Sequence, residues 1–157
     1  MKSKLEDLKL IGNAANHSSF VLLGWNTDSV LQAELLPGLE MISLFEPIYP
    51  NHQQIEQIIN SDRKPHLCNL NVCFGLPAYW INPKTANELL DTCMPLKTEN
   101  NNMTRGIPQH FLVTLDGMLT NRYKEINAKV TIPPLALALN DQSTSLTKNQ
   151  NICNFGG

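Results

Sequence analysis

Nothing in this chain of 157 residues comes near the run of about eighteen apolar residues that a membrane-spanning helix needs. The opening Met1-Lys-Ser-Lys4, followed by Leu5-Glu6-Asp7, has no apolar core of a secretory signal peptide, so the expected compartment is the cytoplasm. An excess of either charge is also missing. Lys and Arg total 12 against 14 Asp and Glu, a formal net charge of −2, which argues against nucleic acid or an anionic membrane surface as a partner. The four cysteines, Cys68, Cys73, Cys93 and Cys153, include no C-x-x-C pair and read as buried thiols. There is no G-x-S-x-G, no P-loop and no G-x-G-x-x-G, so the local signatures of serine hydrolases, nucleotide phosphate binding and dinucleotide binding are absent. No internal repeat and no heptad pattern occurs.

What is present is an ordinary globular composition, with 42% hydrophobic residues, enough for one domain with a core. That domain is expected over residues 1–145, with 146–157 a polar, Asn-rich tail ending in Gly-Gly. Leu5, Leu8 and Ile11 stand at helical spacing. Phe20 to Leu23 is a short continuous apolar run, the pattern of a buried strand, and the polar loop Gly24 to Ser29 follows it. Further strands are expected over Leu39–Phe45, Leu67–Phe74, Ala78–Ile81 and Ile126–Ile132, with a last apolar segment at Leu135–Leu139. Helices are expected over His52–Ser61, from Asn82-Pro83 onward with Ala86, Leu89, Leu90 and Cys93 as the apolar stripe, and over Thr114–Arg122. Lys97–Gln109 reads as a long surface loop. Strands alternating with helices place the chain in the α/β class.

Several constellations invite chemistry. His66, Cys68 and Cys73 fit no zinc spacing, and Cys73 has the wrong strand parity to join the other two. Glu6 and Asp7 follow no apolar strand, so they read as the solvated face of the first helix. Trp25 beside Asn26 and Asp28 suits sugar binding, the ring covering an apolar sugar face while the short polar groups take hydroxyls. A core-anchoring Trp in an Asx-rich turn accounts for the same residues. Asp116 lies in a first helical turn, where the dipole stabilises a carboxylate; capping and function explain it equally.

Four stretches, taken in order, resemble the C-terminal portion of family-25 glycosyltransferases of the lipooligosaccharide and lipopolysaccharide biosynthesis type. Phe20-Val-Leu-Leu-Gly-Trp-Asn-Thr-Asp28 looks like the strand and loop following that family's acidic motif. Gly75-Leu-Pro-Ala-Tyr79-Trp-Ile-Asn-Pro83-Lys-Thr-Ala-Asn-Glu-Leu-Leu90 is similar to its block G-x-x-A-Y-x-I-S-P-K-x-A-x-x-L-L, with Asn82 where Ser is usual. Leu115-Asp116 with Met118, Leu119 and Asn121 resembles a helix start of the family, and Ile132-Pro-Pro-Leu135 with Asn140-Asp141 and Ser143-Thr-Ser145 its closing segment. The second block is the most specific of the four.

The resemblance implies a partial GT-A-like sheet with flanking helices. It also implies transfer of a hexose, galactose above all, from a nucleotide sugar to a lipooligosaccharide or similar glycan acceptor. In the family a divalent metal, Mn or Mg, is held by an acidic motif L-E-D-D; Met1 is expected to fall just after it, leaving the acceptor-side half and no metal ligands here. The implied site residues are Asp116 as the catalytic carboxylate and Trp25, Asn26, Asp28 and Tyr79 as substrate contacts. Partners expected on this footing are the nucleotide sugar, the glycan, and a homo-oligomer or a separate donor-half chain. The rival expectations are a non-catalytic carbohydrate-binding module and a purely structural partner of a separate donor-half chain.

Overall fold

The computed structural model describes residues 9, 11–13, 18–25, 30–43, 50–100, 111–112 and 114–138. Lys9 and residues 11–13 are helical. The named elements are β1 (Phe20–Gly24), β2 (Leu31–Leu36), β3 (Leu39–Ser43), α1 (His52–Ile59), β4 (His66–Val72), β5 (Ala78–Ile81), α2 (Pro83–Cys93), β6 (Glu99–Asn100), β7 (Phe111–Leu112), α3 (Leu115–Thr120) and β8 (Lys129–Ile132).

Six strands form one mixed sheet in the order β3-β2-β4-β8-β1-β5, and β6 pairs with β7 in a separate ribbon. Within the large sheet β1 and β8 run parallel, while β1–β5, β2–β3, β2–β4 and β4–β8 are antiparallel. The chain is thus a helix-and-sheet protein, as the alternating pattern predicts. β1, with neighbours on both sides, is the continuous apolar run, and Phe20, Val21 and Leu22 are all buried.

Register sorts the side chains into two faces, because directly opposed residues share a face and successive residues alternate. Phe20, Leu22, Leu31, Ala33, Leu70 and Val130 form one buried cluster with Leu89 and Cys93 of α2 and Met118 and Leu119 of α3. This is the core. On the other face Glu40, Glu34, Asn69 and Lys129 stand opposite one another across β3, β2, β4 and β8.

Capping explains the helix starts. The Asn51 carboxamide accepts the Gln54 N–H and the Gln54 side chain accepts the Asn51 N–H, both at 2.9 Å, a reciprocal box. Asn82 accepts the Thr85 N–H at 2.7 Å ahead of Pro83.

Four expectations change. β2 was not foreseen, although Pro37-Gly38 (Gly38 φ 80°) closes a hairpin with β3. β8 begins at Lys129, because 121–127 are turns and Asn127 takes φ 50°. The buried stripe of α2 is Thr85, Leu89 and Cys93, leaving Leu90 exposed. Glu99–Asn100, within the expected surface loop, pairs with Phe111–Leu112.

The strand directions make β4 and β5 parallel to each other with β8 and β1 between them. The short segment 73–77 must therefore cross the sheet from one end to the other. This crossover positions the candidate site.

Candidate functional site

Thr114 starts α3, its hydroxyl accepting the Gly117 N–H at 3.4 Å, and this puts Asp116 in the first turn. Asp116, Thr120 and Tyr123 follow at helical spacing, so they lie along one side of α3 and its continuation. All three address the crossover. Asp116 Oδ2 accepts the Gly75 N–H at 2.9 Å. Thr120 Oγ1 donates to the Cys73 carbonyl at 2.6 Å. Gly75 takes φ 76°, a left-handed conformation open to glycine at no steric cost.

Tyr123 is fully buried, and its hydroxyl has no hydrogen-bond partner among the described residues. Burial pushes its phenol well above the ordinary tyrosine value, and the nearby Cys73 and Asp116 push it further the same way. A buried phenol and a half-buried carboxylate thus sit together beneath the crossover. One carboxylate oxygen is anchored by a backbone donor, which fixes the orientation of the other.

An aromatic row leads outward from this point. Tyr123 meets Phe20 with ring centroids 5.6 Å apart. Phe20 in turn carries Tyr79 stacked at 5.4 Å with an interplanar angle of 12°. Tyr79 lies on the edge strand β5 and is 48% exposed, so its outer ring face is open while the inner one is held.

Trp25 is packed in the same buried cluster as Phe20 and Tyr123. It is 3% exposed, belongs to the core cluster, and its indole N–H points to the Thr131 carbonyl at 3.5 Å. A ring so covered presents no face to a sugar, which corrects the expected stacking role in favour of a core anchor. Asn26 and Asp28 lie outside the described residues. The structure thus sets Tyr79, Phe20 and Tyr123 in one aromatic row, and places Trp25 in the interior rather than at the surface.

Cys73 and Cys93 are buried and Cys68 half-buried, none of them in a disulfide. Burial raises the Cys68 thiol above its ordinary value against the opposing charge of Lys129. Cys73 lies beyond β4, in the crossover, so strand parity does not govern where it points.

A second polar feature lies on the opposite sheet face. Asn69 donates to Glu34 at 2.7 Å and accepts from Lys129, while Asn71 donates to Glu40 at 2.7 Å. The Asn69 carboxamide, then the Gly38 N–H, hold the Glu34 carboxyl below its ordinary value, with Lys124 and Lys129 adding smaller effects. Glu34, Glu40, Asn69, Asn71, Lys124 and Asn127 contribute to the walls of an open cleft of about 250 Å³.

Among the described residues no three His, Cys, Asp or Glu side chains gather closely enough to hold a metal ion. The donor set for the divalent cation implied by the resemblance is therefore not among the described residues. No helix described is long and apolar enough to cross a membrane.

Sequence reasoning did not identify Thr120, Tyr123 and Gly75 as companions of Asp116. The i, i+4, i+7 spacing of 116, 120 and 123 was readable; the partner segment, 41 residues from Asp116 at Gly75, was not. No protein-family model matches this chain, and neither a curated protein nor a solved structure matches it.

Proposed function

We propose that this chain is a glycosyltransferase-like protein of glycan biosynthesis, of the family-25 type, whose described residues serve the acceptor side of hexosyl transfer. The observation that supports it is the convergence of the four resembling stretches. Gly24 of the first pairs with Ala78 of the second, and Asp116 of the third holds Gly75 of the second. In the fourth, the N–H groups of Leu135 and Ala136 both reach the Leu23 carbonyl, at 2.8 and 3.2 Å. Segments scattered over more than a hundred residues thus form one unit around the crossover.

In this reading Asp116 is the general base. Its anchored carboxylate takes the proton of the acceptor hydroxyl as that oxygen bonds to the anomeric carbon and the bond to the nucleoside diphosphate breaks. Tyr79, held from behind by Phe20, supplies an apolar platform for a sugar ring. The diphosphate's charge is not met by any group assigned here.

The first test is an NMR titration of the chain with a galactose-containing lipooligosaccharide core. Shifts confined to Gly75, Tyr79 and Asp116 are expected; their absence overturns the carbohydrate reading. The second supplies nucleotide galactose, Mn²⁺ and acceptor. Turnover that falls about a hundredfold or more in Asp116→Asn supports the base assignment. Glycan binding without turnover favours the second reading, a carbohydrate-recognition module built on the half-exposed Tyr79 ring.

A further inference from the structure

We propose that Thr120 is a positioning residue for the Asp116 carboxylate: by fastening the Cys73 carbonyl to α3, its hydroxyl places the Gly75 N–H where Asp116 Oδ2 accepts it. What this does to turnover rests on the reading of Asp116 as the general base. The placement of Gly75 does not.

Thr120 closes α3 and is 5% exposed. A buried place in a short helix suits Leu or Ala better, because Thr is a weaker helix former and its desolvated hydroxyl must find a partner. Here it finds two. Its single proton is directed to the Cys73 carbonyl at 2.6 Å, with the Asp116 carbonyl at 3.0 Å as the weaker second acceptor. A bond from a helical Thr to the carbonyl four residues back is ordinary. The shorter one, to a residue 47 positions away, is a tertiary tie.

The two ties to the crossover match in span. Asp116 and Thr120 are separated by about 6 Å along a helix axis. Cys73 and Gly75 are separated by at most about 7 Å of extended chain. Neighbouring side chains of α3 therefore meet neighbouring groups of the crossover in step. One hydrogen bond would leave the segment free to swing about it, and a second fixes its direction. Gly75 needs that restraint, since glycine leaves φ 76° for other conformations more readily than any other residue.

The carboxylate is the beneficiary. With the Gly75 N–H in place at 2.9 Å, Oδ2 is held and the outward aim of Oδ1 follows. Without the Thr120 tie the donor drifts and the carboxylate turns freely. A shift of about 1 Å in a reacting group can cost about a hundredfold in rate.

Thr120→Val keeps the shape and removes the hydroxyl, whereas Thr120→Ser keeps the hydroxyl. Amide hydrogen exchange at Gly75 in the full chain should rise about tenfold in Thr120→Val and return towards wild type in Thr120→Ser. Leu70, whose N–H donates to the Ala128 carbonyl, should be unaffected and reports global stability. With nucleotide galactose, Mn²⁺ and acceptor, Thr120→Val should lower kcat about tenfold or more with KM nearly unchanged, and Thr120→Ser should restore it. Unaltered exchange at Gly75, equal rises at Gly75 and Leu70, or no rescue by Thr120→Ser would each overturn the proposal. So would an active Thr120→Val with undiminished kcat. A wild-type chain without turnover overturns the transfer reading instead, and exchange at Gly75 then decides the role of Thr120.

Discussion

The Asp116 carboxylate and the Gly75 N–H, 41 residues apart in the chain, meet at 2.9 Å and so fasten the crossover to the first turn of α3. An Asn side chain keeps an acceptor oxygen at that place, whereas Ala leaves the glycine donor stranded. Asp116→Ala should therefore cost about 1–3 kcal/mol of stability, and Asp116→Asn much less, in paired urea melts. Equal losses would mean that the anchor depends on charge rather than on an acceptor atom.

Tyr123 carries the opposite lesson. Its hydroxyl is buried without a partner among the described residues, a desolvated group that phenylalanine would remove while keeping the tilted ring contact with Phe20. Tyr123→Phe should leave stability unchanged or raise it by about 1 kcal/mol.

The pH dependence follows from the same residue. Its folded value is raised, so the folded state holds the phenolic proton more tightly than the unfolded chain does. Stability from this source is complete below the unfolded tyrosine value of about 10 and is lost as pH rises beyond it. The alkaline limb of the stability profile should be shallower in Tyr123→Phe. Identical limbs in the two proteins would mean that the phenol titrates normally.

Glu34 titrates in the other sense. Its lowered value means that its contribution is present above the ordinary carboxylate range and lost as pH falls through the lowered folded value. The largest cause is the Asn69 carboxamide. Asn69→Ala should move the Glu34 carboxyl back up, as read by carbon-detected NMR titration of the side chain. An unmoved carboxyl would point to the Gly38 N–H as the dominant donor.

Gly24 is confined by contact rather than by conformation. A Cβ added there would lie 2.5 Å from the Ala136 carbonyl oxygen, closer than real contacts allow, and the obstacle is backbone. Gly24→Ala should cost about 1–3 kcal/mol, with loss of amide protection at Leu135 and Ala136, the donors to Leu23.

How far the sequence foretold this arrangement depends on the kind of signal. The apolar run at Phe20 and the Asn82-Pro83 start mark β1 and α2 clearly, because burial on both faces and capping leave local traces. β2 leaves a contradictory one. Leu31-Gln-Ala-Glu-Leu-Leu36 is made of good helix formers, and only its pairing with β3 and β4 makes it a strand. Trp25 in its polar loop fitted a core anchor and a sugar contact alike, and only its burial in the assembled fold decides for the core. Asp116 could be read as a first-turn carboxylate, but nothing local shows that it holds Gly75, since that contact exists only once β4, β5 and α3 are assembled.

The place of β8 in the sheet sets the order in which the protein can be completed. It comes last of the named strands along the chain, yet it lies between β4 and β1. As the chain leaves the ribosome, β3-β2-β4 and β1-β5 can each pair early, but they remain two separate ribbons, each with an open edge. Leu22 and Cys68 wait for Val130, which pairs with both. Closing the sheet over such sequence separations is slow relative to hairpin formation, and until it occurs two sticky edges coexist in one nascent chain. The pairing of β8 is thus the moment at which two open-edged ribbons become a single sheet.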